Sequence, residues 1–263
     1  MTMQQNFAAR AVELRGNDDN LVGVAVAGSW VTNEIDEYSD LDMILVTKEK
    51  VGGNKEWMLK FAKQLPHFLS GFTGEHVGEP RVLICLYDDP LLHVDLKFVT
   101  LEEFRHRIET PVILLDKEGK LKLVLDQTEP VFPYPDFQWI EDRFWIWIHY
   151  ALLKIGRGEY IEAYDFFSYL RMVVFGPLLH IKNGNLPRGV RKVETLLSAG
   201  DLQLIHSTLP AYSKEALFNS LHHSVALYRQ LRDEVFTPGI IFQNKTEEKV
   251  MKYFKKIKMP SNN

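Results

Sequence analysis

An α+β chain is expected: a small mixed β-sheet with helices over residues 1–130, then a C-terminal helical bundle over residues 131–263. Three observations lead there. Short β-branched and apolar runs, each bounded by turn residues, recur through the first half. Three prolines, Pro130, Pro133 and Pro135, then punctuate a linker. Beyond them apolar residues fall at helical spacing, as at Phe166, Leu170, Val173, Val174 and Leu178.

In chain order, residues 7–14 have helical spacing and residues 21–27 form an unbroken apolar run, a buried strand. Residues 41–47 give a second strand, closed by Gly52-Gly53. Trp57, Leu59, Phe61, Ala62 and Leu65 mark a helix that stops at Pro66. Residues 81–87 and 92–99 are two strands joined by Asp88-Asp89-Pro90, a hairpin with turn chemistry at its centre. A short strand, 112–115, follows Pro111. In the second half helices are expected over residues 137–155, 160–182, 190–197 and 214–235. The aromatic run Trp139, Phe144, Trp145, Trp147 and Tyr150 is read as bundle core.

Composition narrows the function. With 46% hydrophobic and 25% charged residues, the chain is an ordinary globular protein. Its longest apolar stretch, residues 144–155, is interrupted by His149 and Lys154 and is too short for a bilayer. Residues 1–10 are polar, without the apolar centre of a signal peptide. The single cysteine, Cys85, permits no intrachain disulfide and no Cys-rich zinc site. A cytoplasmic location is therefore expected, with no membrane partner. The net charge of −4 gives no support for a nucleic-acid partner.

The chemistry concentrates in Gly28-Ser29 and Asp40-Leu41-Asp42. Side chains alternate along a strand, so Asp40 and Asp42 share a face while Leu41 and Met43 enter the core. Adjacent carboxylates repel unless a cation lies between them. Magnesium suits such a pair, because it takes one or two carboxylates and completes its shell with phosphate oxygens. Gly28 would let backbone N–H groups approach a phosphate, and the Ser29 hydroxyl adds a donor. Ser39 reads as a turn residue whose hydroxyl caps a local N–H. On residues 92–98, His93, Asp95 and Lys97 form one polar stripe. Asp95 could hold a metal or act as a general base, and Lys97 could meet a phosphate. His93 reads equally well as a hairpin-end residue. Glu159 has a plain reading as a helix-start residue. For Arg188, Arg191 and Lys192 a solvated face is the default. A salt bridge, a phosphate contact or a homodimer contact is also open.

Gly28-Ser29 followed by Asp40-Leu41-Asp42 resembles the signature of the polymerase-β-like nucleotidyltransferases. The acidic loop with Tyr38 and the stretch from Leu153 to Tyr160 are similar to the lincosamide and aminoglycoside nucleotidyltransferases of the antibiotic-resistance branch. The resemblance implies ATP as co-substrate, Mg2+ on Asp40, Asp42 and Asp95, and phosphate contacts from Gly28, Ser29 and Lys97. It further implies Asp95 as the catalytic base, and it makes Glu159 a substrate-binding candidate in the helical domain. The reaction expected is adenylyl transfer to a hydroxylated small molecule with release of pyrophosphate. A protein or RNA acceptor, or a non-catalytic nucleotide-binding module, is the alternative. One departure stands out: Trp30, Val31, Thr32 and Asn33 fill the loop where the family often carries a basic residue or a glycine.

Overall fold

The computed structural model describes residues 1–258. The chain divides into two compact units, Met1–Phe132 and the part from Pro133 onward.

In the first unit the elements are α1 (Met3–Arg15), β1 (Leu21–Val26), β2 (Leu41–Thr47), α2 (Lys55–Ala62), β3 (Phe68–Gly74), β4 (Glu79–Tyr87), β5 (Leu92–Thr100), α3 (Leu101–Phe104), β6 (Val112–Asp116) and α4 (Lys120–Gln127). The strands form one sheet in the order β3-β4-β5-β2-β1-β6. Every neighbouring pair is antiparallel except β2 with β5, which run parallel from Leu41↔Val94 to Thr47↔Thr100.

Local chemistry starts the helices. Thr2 and Gln5 form a reciprocal capping box on α1, and Thr100 and Glu103 repeat it on α3. Asn54 caps α2 through its side chain. The sheet then sorts its side chains by parity. Leu41, Met43 and Leu45 of β2, with Val94, Leu96 and Phe98 of β5, pack under α1 and α2. On the opposite face Val46 and Val99 pack with Phe104 of α3 and with Leu121 and Val124 of α4. That second face turns polar toward the starts of β2 and β5, where Asp42, His93 and Asp95 lie.

Three elements of this unit escaped the sequence, the single-turn α3 among them. β3, with glycines at 71 and 74, is an edge strand and carries little apolar signal. α4 holds Leu121, Leu123 and Leu125, an alternation that resembles a strand. It is nonetheless a helix whose buried residues, Leu121 and Val124, are three apart, while Leu123 is exposed.

The second unit is helical: α5 (Phe137–Arg157), α6 (Tyr160–Leu170), α7 (Gly176–Lys182), α8 (Val193–Leu196), α9 (Ala199–His206), α10 (Lys214–Val235) and α11 (Asn244–Lys258). α6 and α7 are joined without a break by a wide, π-type turn, Arg171–Phe175. Pro177 explains it: in a regular helix its ring would press on the carbonyl of Val173. The helix expected over 190–197 shrinks to the single turn of α8. Gly189 and Lys192 both have positive φ, 62° and 57°, which no α-helix accommodates.

A buried carboxylate locks α5 to α10 and to the start of α11. Glu141 is fully buried and accepts from the Tyr228 hydroxyl at 2.5 Å, the Gln243 N–H at 2.9 Å and Trp145 Nε1 at 3.3 Å. Burial, and then the hydrogen bond to Glu141, push the Tyr228 hydroxyl far above its ordinary pKa. Among the described residues no helix is long and apolar enough to cross a membrane.

Candidate active site

β1 delivers the chain to the polar end of the sheet. The Ala27 N–H donates to the Asp42 carbonyl at 3.0 Å, carrying the β1–β2 pairing one residue beyond the strand. The backbone then turns at Gly28, whose φ is 64°. A Cβ at Gly28 would lie 2.2 Å from Asp42 Oδ2. Both the left-handed backbone and the close approach therefore require glycine. Ser29 follows in the same turn, its carbonyl accepting the Glu34 N–H at 2.9 Å.

The parallel pairing of β2 and β5 sets Asp42 directly beside Asp95. Neighbouring strands lie about 4.8 Å apart, and facing residues share a side of the sheet, so the two carboxylates are neighbours. Asp40 lies one residue before β2 rather than within it. Its charge still reaches Asp95. Burial raises the Asp95 pKa most and Asp40 raises it further, while a hydrogen bond from His93 pulls it down; the net shift is upward. His93 Nε2 stands 2.9 Å from Asp95 Oδ1. His93 lies at the hairpin end and also makes a direct contact with a candidate catalytic carboxylate.

Lys97 continues the polar face, but its Nζ is paired with Glu79 Oε2 at 3.1 Å. It lies opposite Ile44 of β2, one step beyond the Asp42–Asp95 pair. Ser39 behaves as read: its hydroxyl accepts the Asp36 N–H at 3.0 Å and donates to Asp36 Oδ1 at 2.8 Å.

In the helical unit, Glu159 occupies the N-cap position of α6 without a capping hydrogen bond from its side chain. Its carboxylate pairs with Lys154 Nζ at 2.8 Å, and Glu162 pairs with the same ammonium at 2.9 Å. These two carboxylates raise the Lys154 pKa.

One residue at the site had no sequence signal. Glu109, in the irregular stretch between α3 and β6, accepts the Gly28 N–H through Oε1 at 2.7 Å. No periodicity or motif marks it.

Among the described residues no three His, Cys, Asp or Glu side chains are gathered as a ready-made metal cage. What the sheet offers is the pair Asp42 and Asp95, with Asp40 close enough to be felt. That donor set fits magnesium, which needs only one or two carboxylates when phosphate oxygens and water fill the other positions. The burial that raises the Asp95 pKa is a cost that a bound cation would offset.

A family model for streptomycin adenylyltransferase matches residues 1–257. Among solved structures, the chain is similar to an aminoglycoside 6-adenyltransferase from Bacillus subtilis, with 17% identity, 98% of this chain and 99% of that one covered, and a TM-score of 0.41. It is also similar to a nucleotidyltransferase-like protein from Exiguobacterium sibiricum 255-15, with 12% identity, 95% and 78% covered, and a TM-score of 0.37. No curated protein matches the sequence. The family match runs through the aspartate pair, the glycine turn and the helical unit alike, and on that extent the chain belongs to the streptomycin adenylyltransferase family and is an adenylyltransferase.

Proposed function

We propose that this enzyme transfers the adenylyl group of ATP to a hydroxyl of an aminoglycoside, with magnesium bound at Asp40 and Asp42 and with Asp95 beside them as general base. The observation that carries the reading is the in-register pairing of Asp42 with Asp95, immediately beside a glycine turn. Magnesium, when bound there, supplies positive charge against the triphosphate. Gly28 and Ser29 hold the phosphates through backbone N–H groups and a hydroxyl.

Asp95 accepts the proton of the acceptor hydroxyl. The acceptor oxygen then forms its bond to the α-phosphorus as the bond to pyrophosphate breaks in line. His93 holds the Asp95 carboxylate in place through their hydrogen bond. Lys97 reaches a phosphate by exchanging its partner Glu79.

The test is a pyrophosphate-release assay with ATP, magnesium, streptomycin and a panel of other aminoglycosides. Antibiotic-dependent release is expected. Asp95→Asn should lower turnover by about a hundred- to ten-thousand-fold while ATP binds within a few-fold. Asp42→Asn should lose magnesium-dependent ATP affinity in calorimetry. Absence of release with every antibiotic, or a full-rate Asp95→Asn enzyme, would sink the assignment.

A further inference from the structure

The Gly28 N–H is the backbone donor best placed for a phosphate oxygen, and it already holds an anion. Glu109 Oε1 accepts from it at 2.7 Å, a length typical of a charge-assisted bond. The two residues are remote in sequence, so the contact is made by the fold. β1 and β6 pair antiparallel up to Val26↔Val112, and continuing that ladder brings the chain just before Pro111 alongside Gly28. The same stretch is fastened from behind. The Arg107 guanidinium donates to the Thr128 carbonyl, and the Arg107 carbonyl accepts the Val131 N–H at 2.9 Å. Glu109 is thereby presented to the turn by an anchored loop.

We infer that Glu109 is an internal competitor for nucleotide: its carboxylate occupies the Gly28 N–H until a triphosphate displaces it. The inference rests on the nucleotide-binding reading of Gly28 and Ser29 given above. A carboxylate oxygen and a phosphate oxygen are equivalent acceptors for a backbone N–H, and one N–H cannot serve both fully. Glu109 also adds negative charge beside Asp42, at the place where a polyanion must enter. Its presence makes a bare triphosphate or pyrophosphate a poor ligand. A nucleotide that brings its own cation can take over the N–H and release the glutamate.

Calorimetry of the full chain with inorganic pyrophosphate and with a non-hydrolysable ATP analogue, each with and without magnesium, tests this. Glu109→Gln keeps the shape and removes the charge, and should bind both ligands about tenfold more tightly, most clearly without magnesium. Glu109→Asp keeps the charge but withdraws it by roughly 1.5 Å, one carbon–carbon bond, and should behave like the glutamine variant. Amide exchange at Gly28 should quicken in Glu109→Asp, which withdraws the acceptor, a change that reports the contact independently of ligand. Unchanged or weaker binding by Glu109→Gln while the wild type binds overturns the competitor role. So does a Glu109→Asp protein that matches the wild type, because the effect would then be one of field rather than contact. If none of the three proteins binds either ligand, the nucleotide site itself is wrong and the competitor falls with it.

Discussion

Replacing Gly28 by alanine would place a methyl carbon 2.2 Å from Asp42 Oδ2 and impose a φ of 64° on a residue that resists it. The backbone penalty alone is about 1–2 kcal/mol. The clash must be relieved by swinging the Asp42 carboxylate away from its place beside Asp95. Gly28→Ala should therefore lose more than tenfold in magnesium-dependent ATP affinity, with the fold retained and the melting temperature lowered by roughly 2–8 °C. In an Asp42→Ala background the stability cost should shrink toward the backbone term, which a double-mutant cycle measures. Equal costs in both backgrounds would show that the two residues do not collide. Asp42 and Asp95 were legible in the sequence because strand alternation dictates which side chains share a face, and Gly28 because a Gly-Ser pair precedes Asp40-Leu41-Asp42. Glu109 and the role of His93 were not. Glu109 reaches Gly28 only through the β1–β6 pairing, and the His93 contact depends on a rotamer, neither of which leaves a pattern in the sequence.

β5 shows how one strand divides its work. Its inner residues fill the core while His93, Asp95 and Lys97 face out, and Lys97 is committed to Glu79 at the start of β4. Glu79 is also bound by Arg81 through two contacts of 2.7 and 2.6 Å. Arg81 first, and then Lys97 against the cost of burial, bring the Glu79 pKa from 4.5 down to about 2. A depressed carboxylate contributes stability that is present above its unfolded pKa and is lost as pH falls through the folded one. With its side chain 26% exposed, that contribution is on the order of 1–2 kcal/mol after screening. Glu79→Gln should then be less stable than the wild type near pH 7, with the gap closing from about pH 4.5 toward pH 2 in urea titrations. A gap that stays constant across that window would separate the ion pair from the acid response. The same freed Lys97 should not alter the Asp42–Asp95 register. Where sequence reading failed on elements, local chemistry competed with pattern. α4 mimics a strand by its leucines, and residues 190–197 have helical spacing that Gly189 and Lys192 override.

The chain has two compact units meeting in sequence at Phe132 and Pro133, within an irregular stretch that ends at the Asp136 cap of α5. Tyr134 is well exposed there. Brief treatment with proteinase K, a protease of broad specificity, should cut first within residues 129–136, at a bond not followed by proline, giving two fragments of nearly equal size that mass spectrometry identifies. Early cleavage inside the sheet or the helices would show that local openings elsewhere are easier than access to this segment. Within the first unit, the parallel pairing of β2 with β5 has a consequence for folding. Asp42 and Asp95 come from strands separated by α2, β3 and β4, and a parallel neighbour can be reached only after that long excursion is closed. A slip of one residue would turn Asp95 into the core and Leu96 or Val94 outward, so no partly registered sheet holds both carboxylates on one side. During refolding, ATP affinity should accordingly return in step with the last cooperative phase of sheet formation and lag behind helical circular dichroism. Nucleotide binding thereby counts molecules whose central strands have found their final alignment.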